Sequence, residues 1–258
     1  MSENLPLRDK NISKTSFNSQ RNSRRPRKNE VGRIFESGAL INILRVKDDR
    51  KLLRRKHIAI LLSQLEPIPN PKLRWESYTL DSESAATIVY IAAYEHDDIR
   101  GKKVIDLGCG SGILAIAASL FGAEWTVGVD IDREAIKVAI KNASKVGVQV
   151  DFINGDIGCV SGHFETTLMN PPFGSWHKGA DINFIKKALE ISNVVYLVHK
   201  RSPSVKDFLS STIPKLGGVI DRIYNIDIVI KRIFKFHRKK YYNVKAALYR
   251  IISETYKD

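Results

Sequence analysis

The segment VIDLGCGSGIL, residues 104–114, constrains the fold more than any other part of this chain. An apolar run carries an acid, Asp106, and glycines follow at 108, 110 and 112 before a second apolar run begins. Glycine reaches backbone conformations that a Cβ disfavours, and it lets a ligand approach the main chain closely. The pattern predicts a strand, a tight turn against a ligand, and a helix opening at Gly112. Strand patterns recur at 125–130, 148–153, 165–169 and 193–198, separated by helical patterns at 133–146 and 181–191, with a further helix near 204–212. Alternation of this kind produces a parallel sheet with helices on both faces. The end of the chain, from Gly217 to Ile252, reads as two long strands around a basic turn, an antiparallel edge on that sheet.

Upstream, KLLRRKHIAILLSQLE (51–66) carries Leu52, Leu53, Ile58, Ile60, Leu61, Leu62 and Leu65 mostly on one helical face, and prolines at 67, 69 and 71 stop that helix. A second helix runs from Ala85 to Tyr94 with Asp81 or Ser82 as its N-cap. Residues 1–30 differ in kind: eight Lys/Arg stand against three acids, with few large apolar residues to offset the entropy of ordering. The expected organisation is a basic, largely disordered arm at 1–48 and a folded domain at 49–258.

The chain has 258 residues, is 43% hydrophobic and carries a formal net charge of +14. That content can bury a core, and the charge favours a polyanionic partner. The excess sits at the two ends: in residues 231–258 nine Lys/Arg face two acids. The longest nearly uninterrupted apolar run, Ile113 to Ala123, falls short of the roughly 20 residues of a membrane helix. With no apolar N-terminal leader, the expectation is a cytoplasmic protein without a membrane partner. Cys109 and Cys159 are too few for a four-ligand zinc site and read as two small buried side chains, with no metal expected.

Two further acids give the glycine turn its meaning. Asp130, 22 residues beyond Gly108, ends the next strand in GVDID and can accept both hydroxyls of a ribose. Asp156, in NGDI, ends the strand after that and can reach an adenine amino group. A dinucleotide loop wants G-x-G-x-x-G, whereas here position 113 is Ile. Acids at three successive strand ends suit a ligand with a cationic centre and no phosphate. S-adenosyl-L-methionine fits that description better than NAD; a glycine turn with no ligand is the plain alternative.

The fourth strand runs into MNPPFGSWHKG, residues 169–179. The side-chain carbonyl of Asn170 and the main-chain carbonyl of Pro171 can accept hydrogen bonds from one exocyclic amine. Pro171 and Pro172 keep that geometry stiff, and Phe173 can stack on the ring bearing the amine. An aromatic amine is a poor nucleophile because its lone pair is delocalised. Two fixed acceptors localise that pair, so positioning and preorganised electrostatics carry the chemistry without a strong base. A proline-rich turn with a core Phe is the bland reading of the same residues.

DLGCGSG, GVDID, NGDI, NPPFG with the following HKGAD, VYLVHK and FKFHRKK together resemble the methyltransferase-like protein five family of ribosomal RNA adenine-N6 methyltransferases and its archaeal relatives. The resemblance runs from about Pro71 to Ile251. It implies a Rossmann-like class I methyltransferase fold with a mostly parallel seven-stranded sheet, and S-adenosyl-L-methionine as cofactor. It implies cofactor contacts at Gly108, Ser111, Ile113, Asp130, Asp156, Ile157 and Asn170, with Asp106, Gly110 and Gly112 in the same loop and NPPF as the catalytic loop. Where the family shows Glu-Gln-Tyr-Pro-Thr, this chain has Glu76-Ser77-Tyr78-Thr79-Leu80; Tyr78 stands in register as a cofactor contact, and the Gln and Thr contacts are missing.

In that light, Lys235, His237, Arg238, Lys239 and Lys240 become candidate phosphate contacts, and His199 and Lys200 candidate RNA contacts at a strand end. Trp176 and His177 would line a flipped base or form a lid. The family also implies a small zinc-ribbon activator protein, for which the strand at 148–153 offers a free edge. The implied activity is N6 methylation of adenine in structured RNA, small-subunit ribosomal RNA above all. A protein glutamine N5-methyltransferase and a non-catalytic RNA-binding ribosome-assembly factor are the competing readings.

Overall fold

A computed structural model describes residues 9–11, 54–69, 71–72, 80–172, 179–231 and 241–256. Strand β1 (Asp9–Asn11) is followed by helices α1 (Arg55–Leu62) and α2 (Ser82–Tyr90). The alternating body comprises β2 (Lys103–Leu107), α3 (Ile113–Leu120), β3 (Trp125–Asp130), α4 (Arg133–Val146), β4 (Asp151–Asn154), β5 (Phe164–Met169), α5 (Ala180–Ile191), β6 (Ser192–Lys200) and α6 (Pro203–Thr212). A long hairpin of β7 (Gly218–Lys231) and β8 (Tyr241–Ser253) ends it.

The strands form one sheet in the order β1-β7-β8-β6-β5-β2-β3-β4. The five strands β2 to β6 run parallel, and β8 lies antiparallel between β6 and β7. This is the Rossmann-like class I methyltransferase arrangement of seven strands, extended by three residues of the N-terminal segment, where Asp9–Asn11 pair parallel with β7. Among the described residues no helix is long and apolar enough to cross a membrane.

Residues that alternate along a strand face opposite sides of a sheet, and each side here has its own core. Val104, Leu168, Tyr196 and Leu248 face α1, α2 and α3, whereas Ile105, Met169, Leu197 and Ile251 face α5 and α6. Apart from Lys103, every residue of β2 is buried, as a central parallel strand covered on both faces requires.

Local signals explain the element ends. Asp81 caps α2 by accepting from Ser84 N–H at 3.0 Å, and Asp132 caps α4 by accepting from Glu134 N–H at 3.1 Å. Gly147 closes α4 with φ +68°. Some details depart from the sequence reading. The second helix widens into a π-helical turn at Ile91–Glu95 instead of running on as one α-helix. The strand expected at 148–153 is confined to Asp151–Asn154. Ile60 is 52% exposed and does not share the buried face of α1. Cys109 is buried as expected, but Cys159 is exposed.

Candidate functional site

Strand order reverses between β2 and β5, whose last residues, Leu107 and Met169, lie side by side. Crossovers to either side leave a crevice at the carboxyl ends of such a pair, where ligands of open α/β sheets bind. A cavity of about 810 Å³ occupies it, walled by the glycine turn, the ends of β3 and β5, the turn after β4, and α5.

The turn is shaped by its glycines. Gly108, Gly110 and Gly112 have φ values of +72°, +55° and +81°, left-handed conformations that a side chain resists. They do different work. Gly108, Gly110, Ser111 and Ile113 line the cavity, whereas Gly112 does not. A Cβ on Gly112 would stand 3.0 Å from that of Ala139, so Gly112 allows α3 and α4 to pack closely. At Gly108 a Cβ would meet Phe184 at 3.0 Å.

Three aspartates face this space. Asp130 receives Gly110 N–H on Oδ2 and Asp132 N–H on Oδ1, both at 2.8 Å, which fixes its plane against the turn. Burial nonetheless pushes its pKa up. Asp106 lies deeper: Oδ2 accepts from Ala115 N–H at 3.1 Å, while Oδ1 is buried without a hydrogen-bond partner among the described residues. Burial, with Asp130 nearby, raises its pKa to about 8. Asp156 caps the short 3₁₀ turn Ile157–Cys159 by accepting from Gly158 N–H at 2.8 Å, and with Ile157 it lines the cavity. A buried acid with spare acceptor capacity, as Asp106 is, suits a cationic ligand, since a positive charge favours its ionised form.

Asn170 follows β5 directly and lines the same cavity with Pro171 and Pro172. Its Oδ1 is buried with no hydrogen-bond partner among the described residues. An unsatisfied buried carbonyl is costly unless a ligand completes it, and an amine N–H is a donor of the right kind.

The remaining expected residues divide. Phe173, Trp176, His177, Tyr78, Lys235, His237, Arg238, Lys239 and Lys240 lie outside the described residues. Lys200 is exposed at the end of β6. His199 is only 3% exposed, with Nε2 3.5 Å from Asp181 Oδ2, so it offers no surface to a phosphate and supports the first turn of α5 instead. Sequence reasoning missed Ile68, Leu80, Ile131, Asn183 and Phe184, which also line the cavity. Ile131 carried a signal, as the residue directly after Asp130, and so did Leu80, which stands where the family has a Thr contact.

The family model for ribosomal protein L11 methyltransferase (PrmA) matches residues 83–163, the part that builds the glycine turn and the first acids. An uncharacterized protein of Methanocaldococcus jannaschii is 38% identical over 212 residues, 78% of this chain and 94% of that protein. The rRNA N(6)-adenosine-methyltransferase Mettl5 of Drosophila melanogaster is 32% identical over 210 residues, 77% of this chain and 96% of that protein. The chain belongs to the methyltransferase-like protein five family. A crystal structure of a candidate RNA methyltransferase from Pyrococcus horikoshii, 36% identical, superimposes with a TM-score of 0.72 over 79% of this chain and 99% of that one. As a member of the family the chain is a methyltransferase, and its methyl donor is S-adenosyl-L-methionine. The residues present fit that cofactor: a glycine turn open to the main chain, and three aspartates lining the cavity, of which Asp106 is buried with an unpartnered oxygen, for a ligand that carries positive charge.

Proposed function

We propose that this methyltransferase modifies the exocyclic N6 amine of an adenine in structured RNA, namely small-subunit ribosomal RNA. The observation that carries this reading is the buried, unpartnered Asn170 Oδ1 beside two prolines at the switch-point crevice. Two rigid acceptors, this oxygen and the Pro171 carbonyl, would hold one amine N–H each and draw its lone pair out of the ring. The binding geometry then supplies most of the rate. The substrate is suggested by the relatives named as rRNA N(6)-adenosine-methyltransferases in fly, zebrafish and worm.

In the same reading, the basic segment 235–240 and Lys200 bind phosphates around the crevice, and the basic segment 1–48 is an appendage to the catalytic domain at 49–258. A small zinc-ribbon activator would pair with the free edge of β4, where Ile153 is 42% exposed.

The test is to incubate the protein, alone and with such an activator, with radiolabelled S-adenosyl-L-methionine and unmodified small ribosomal subunits, then digest to nucleosides. Label in N6-methyladenosine is expected, and Asn170→Ala should abolish it while leaving RNA binding nearly unchanged. Label in protein would instead favour glutamine N5 methylation, the activity suggested by a Methanocaldococcus jannaschii relative that is 39% identical over 77 residues. RNA binding with no label under either condition would favour an assembly factor.

A further inference from the structure

The segment after α1 crosses one wall of the cofactor cavity, and two ties hold it there. Ile68 is 7% exposed and lines the cavity; its Cδ1 is the nearest atom, at 3.8 Å, to the place a Cβ on Gly110 would occupy. Proline stands on both sides of Ile68, at 67 and 69, so little backbone freedom is lost when the segment docks.

The first tie is Asn142, on α4 and fully buried. Its Oδ1 accepts from Glu66 N–H at 2.8 Å, and its Nδ2 donates to Glu66 O and to Ser111 O, each at 3.0 Å. One carboxamide therefore satisfies both main-chain groups of Glu66 and a carbonyl of the glycine turn. The second tie is the ion pair of Lys72 Nζ with Asp132 Oδ1 at 2.8 Å. Asp132 caps α4, and its own N–H holds Asp130 Oδ1. Each tie ends one bond network away from a group that faces the cofactor. Glu66 adds an exposed pair with Lys141, which contributes little by itself.

We propose that Asn142 is a positioning residue for the cofactor site: it makes docking of the 64–69 strap and the shape of the glycine turn a single event, with Lys72–Asp132 as the second latch. Asn142 touches no reacting atom. It acts through Ser111 and Glu66, and through them on Ile68. Coupling of this kind is reciprocal, so the cofactor must stabilise the docked strap as much as the docked strap favours the cofactor. The proposal rests on the cofactor assignment and is independent of which amine is methylated.

The test is calorimetric titration of the full chain with S-adenosyl-L-methionine, using wild type, Asn142→Asp and Lys72→Met, with hydrogen exchange of the strap amides followed with and without the cofactor. Asn142→Asp keeps the volume and the acceptor for Glu66 N–H, but sets a carboxylate against two carbonyls. It should weaken cofactor affinity about tenfold, the scale of a lost buried hydrogen-bond pair. Lys72→Met, at a half-exposed side chain, leaves the buried Asp132 carboxylate without its cation and should weaken cofactor affinity about threefold, measured at a temperature where the variant is folded. In wild type the cofactor should slow exchange at Glu66 and Ile68; in Asn142→Asp that protection should be lost while RNA affinity stays at the wild-type value. Wild-type cofactor affinity in Lys72→Met together with a folded Asn142→Asp overturns the proposal, as does unchanged strap protection. If Asn142→Asp does not fold, Lys72→Met alone decides, with wild-type affinity counting against the coupling. A wild-type chain that binds no cofactor overturns the cofactor assignment itself, and the proposal with it.

Discussion

His199 Nε2 lies 3.5 Å from Asp181 Oδ2, and the two side chains are only 4% and 11% exposed. The contact joins the end of β6 to the first turn of α5, the helix whose Asn183 and Phe184 line the cavity. The imidazole holds the Asp181 carboxyl below the usual carboxylate range, against the opposing effect of burial.

Asp181→Asn should therefore lower stability near neutral pH by about 1–2 kcal/mol, the scale of a hydrogen bond to a charged group. A carboxyl whose pKa is depressed on folding stabilises above its unfolded value, and that stability is lost as pH falls through the folded value. The difference between wild type and Asp181→Asn should thus shrink on acidification below pH 3.8, its ordinary value. Denaturant unfolding at a series of pH values measures it. A gap that stays constant into acid would separate the Asp181–His199 contact from the stability effect.

Asp106 titrates in the opposite sense. Its pKa rises on folding from 3.8 to about 8, chiefly by burial. Its contribution is complete below the unfolded value and is lost as pH rises through the folded one. The cofactor-free protein should lose melting temperature between about pH 5 and pH 9 by more than Asp106→Asn does. Because a cationic ligand favours the carboxylate, cofactor binding at pH 6–7 should release a proton. Calorimetry in buffers of different ionisation enthalpy reads that directly. Asp106→Asn should remove the proton release and weaken binding about tenfold or more.

Gly128, in the middle of β3, has no room for a methyl group: a Cβ there would lie 2.8 Å from the Phe152 ring and 3.1 Å from Cys109 Sγ. Gly128→Ala should destabilise by about 1–3 kcal/mol through overpacking. Phe152→Leu in the same chain should recover part of the loss, because the ring is the obstacle. Urea midpoints of the two single variants and the double variant would show the non-additivity; strict additivity would place the strain elsewhere.

Arg250 ties the long hairpin to the loop before β2, with Nε 2.8 Å from Asp98 Oδ2, and bridges within the hairpin, with Nη1 2.8 Å from Asp221 Oδ2. Tyr196 Oη donates to the same Asp98 oxygen at 2.6 Å. Arg250→Met would leave two partly buried carboxylates without their cation, at a cost of about 3 kcal/mol. None of these residues lines the cavity, so cofactor affinity at a temperature where the variant is folded should match wild type. A fall in affinity would mean that the network reaches the site.

The parts of this protein that were legible residue by residue are those decided within a few bonds of the residue itself. Glycines spaced D-x-G-x-G-x-G announced a turn that only left-handed backbone makes, and the φ values at 108, 110 and 112 are the stereochemical consequence. The apolar periods marked the elements of the alternating body because strands and helices repeat with the geometry of the chain. Acids at strand ends pointed to the crevice because parallel strands end at one edge.

What could not be read locally depends on which surfaces meet. His199 follows an apolar strand run and reads as a surface residue, yet the packing of α5 against β6 buries it beside Asp181. Gly112 belongs to the ligand motif by spacing but serves the contact with Ala139 across to α4. Asp106 reads as one more acid, until enclosure on all sides carries its pKa to about 8. Asn142 gave no signal at all: 76 residues separate it from Glu66, and a carboxamide becomes a clasp only when the fold brings two unsatisfied main-chain segments to it. Periodicity and turn chemistry act along the chain, whereas desolvation and hydrogen-bond completion act across it.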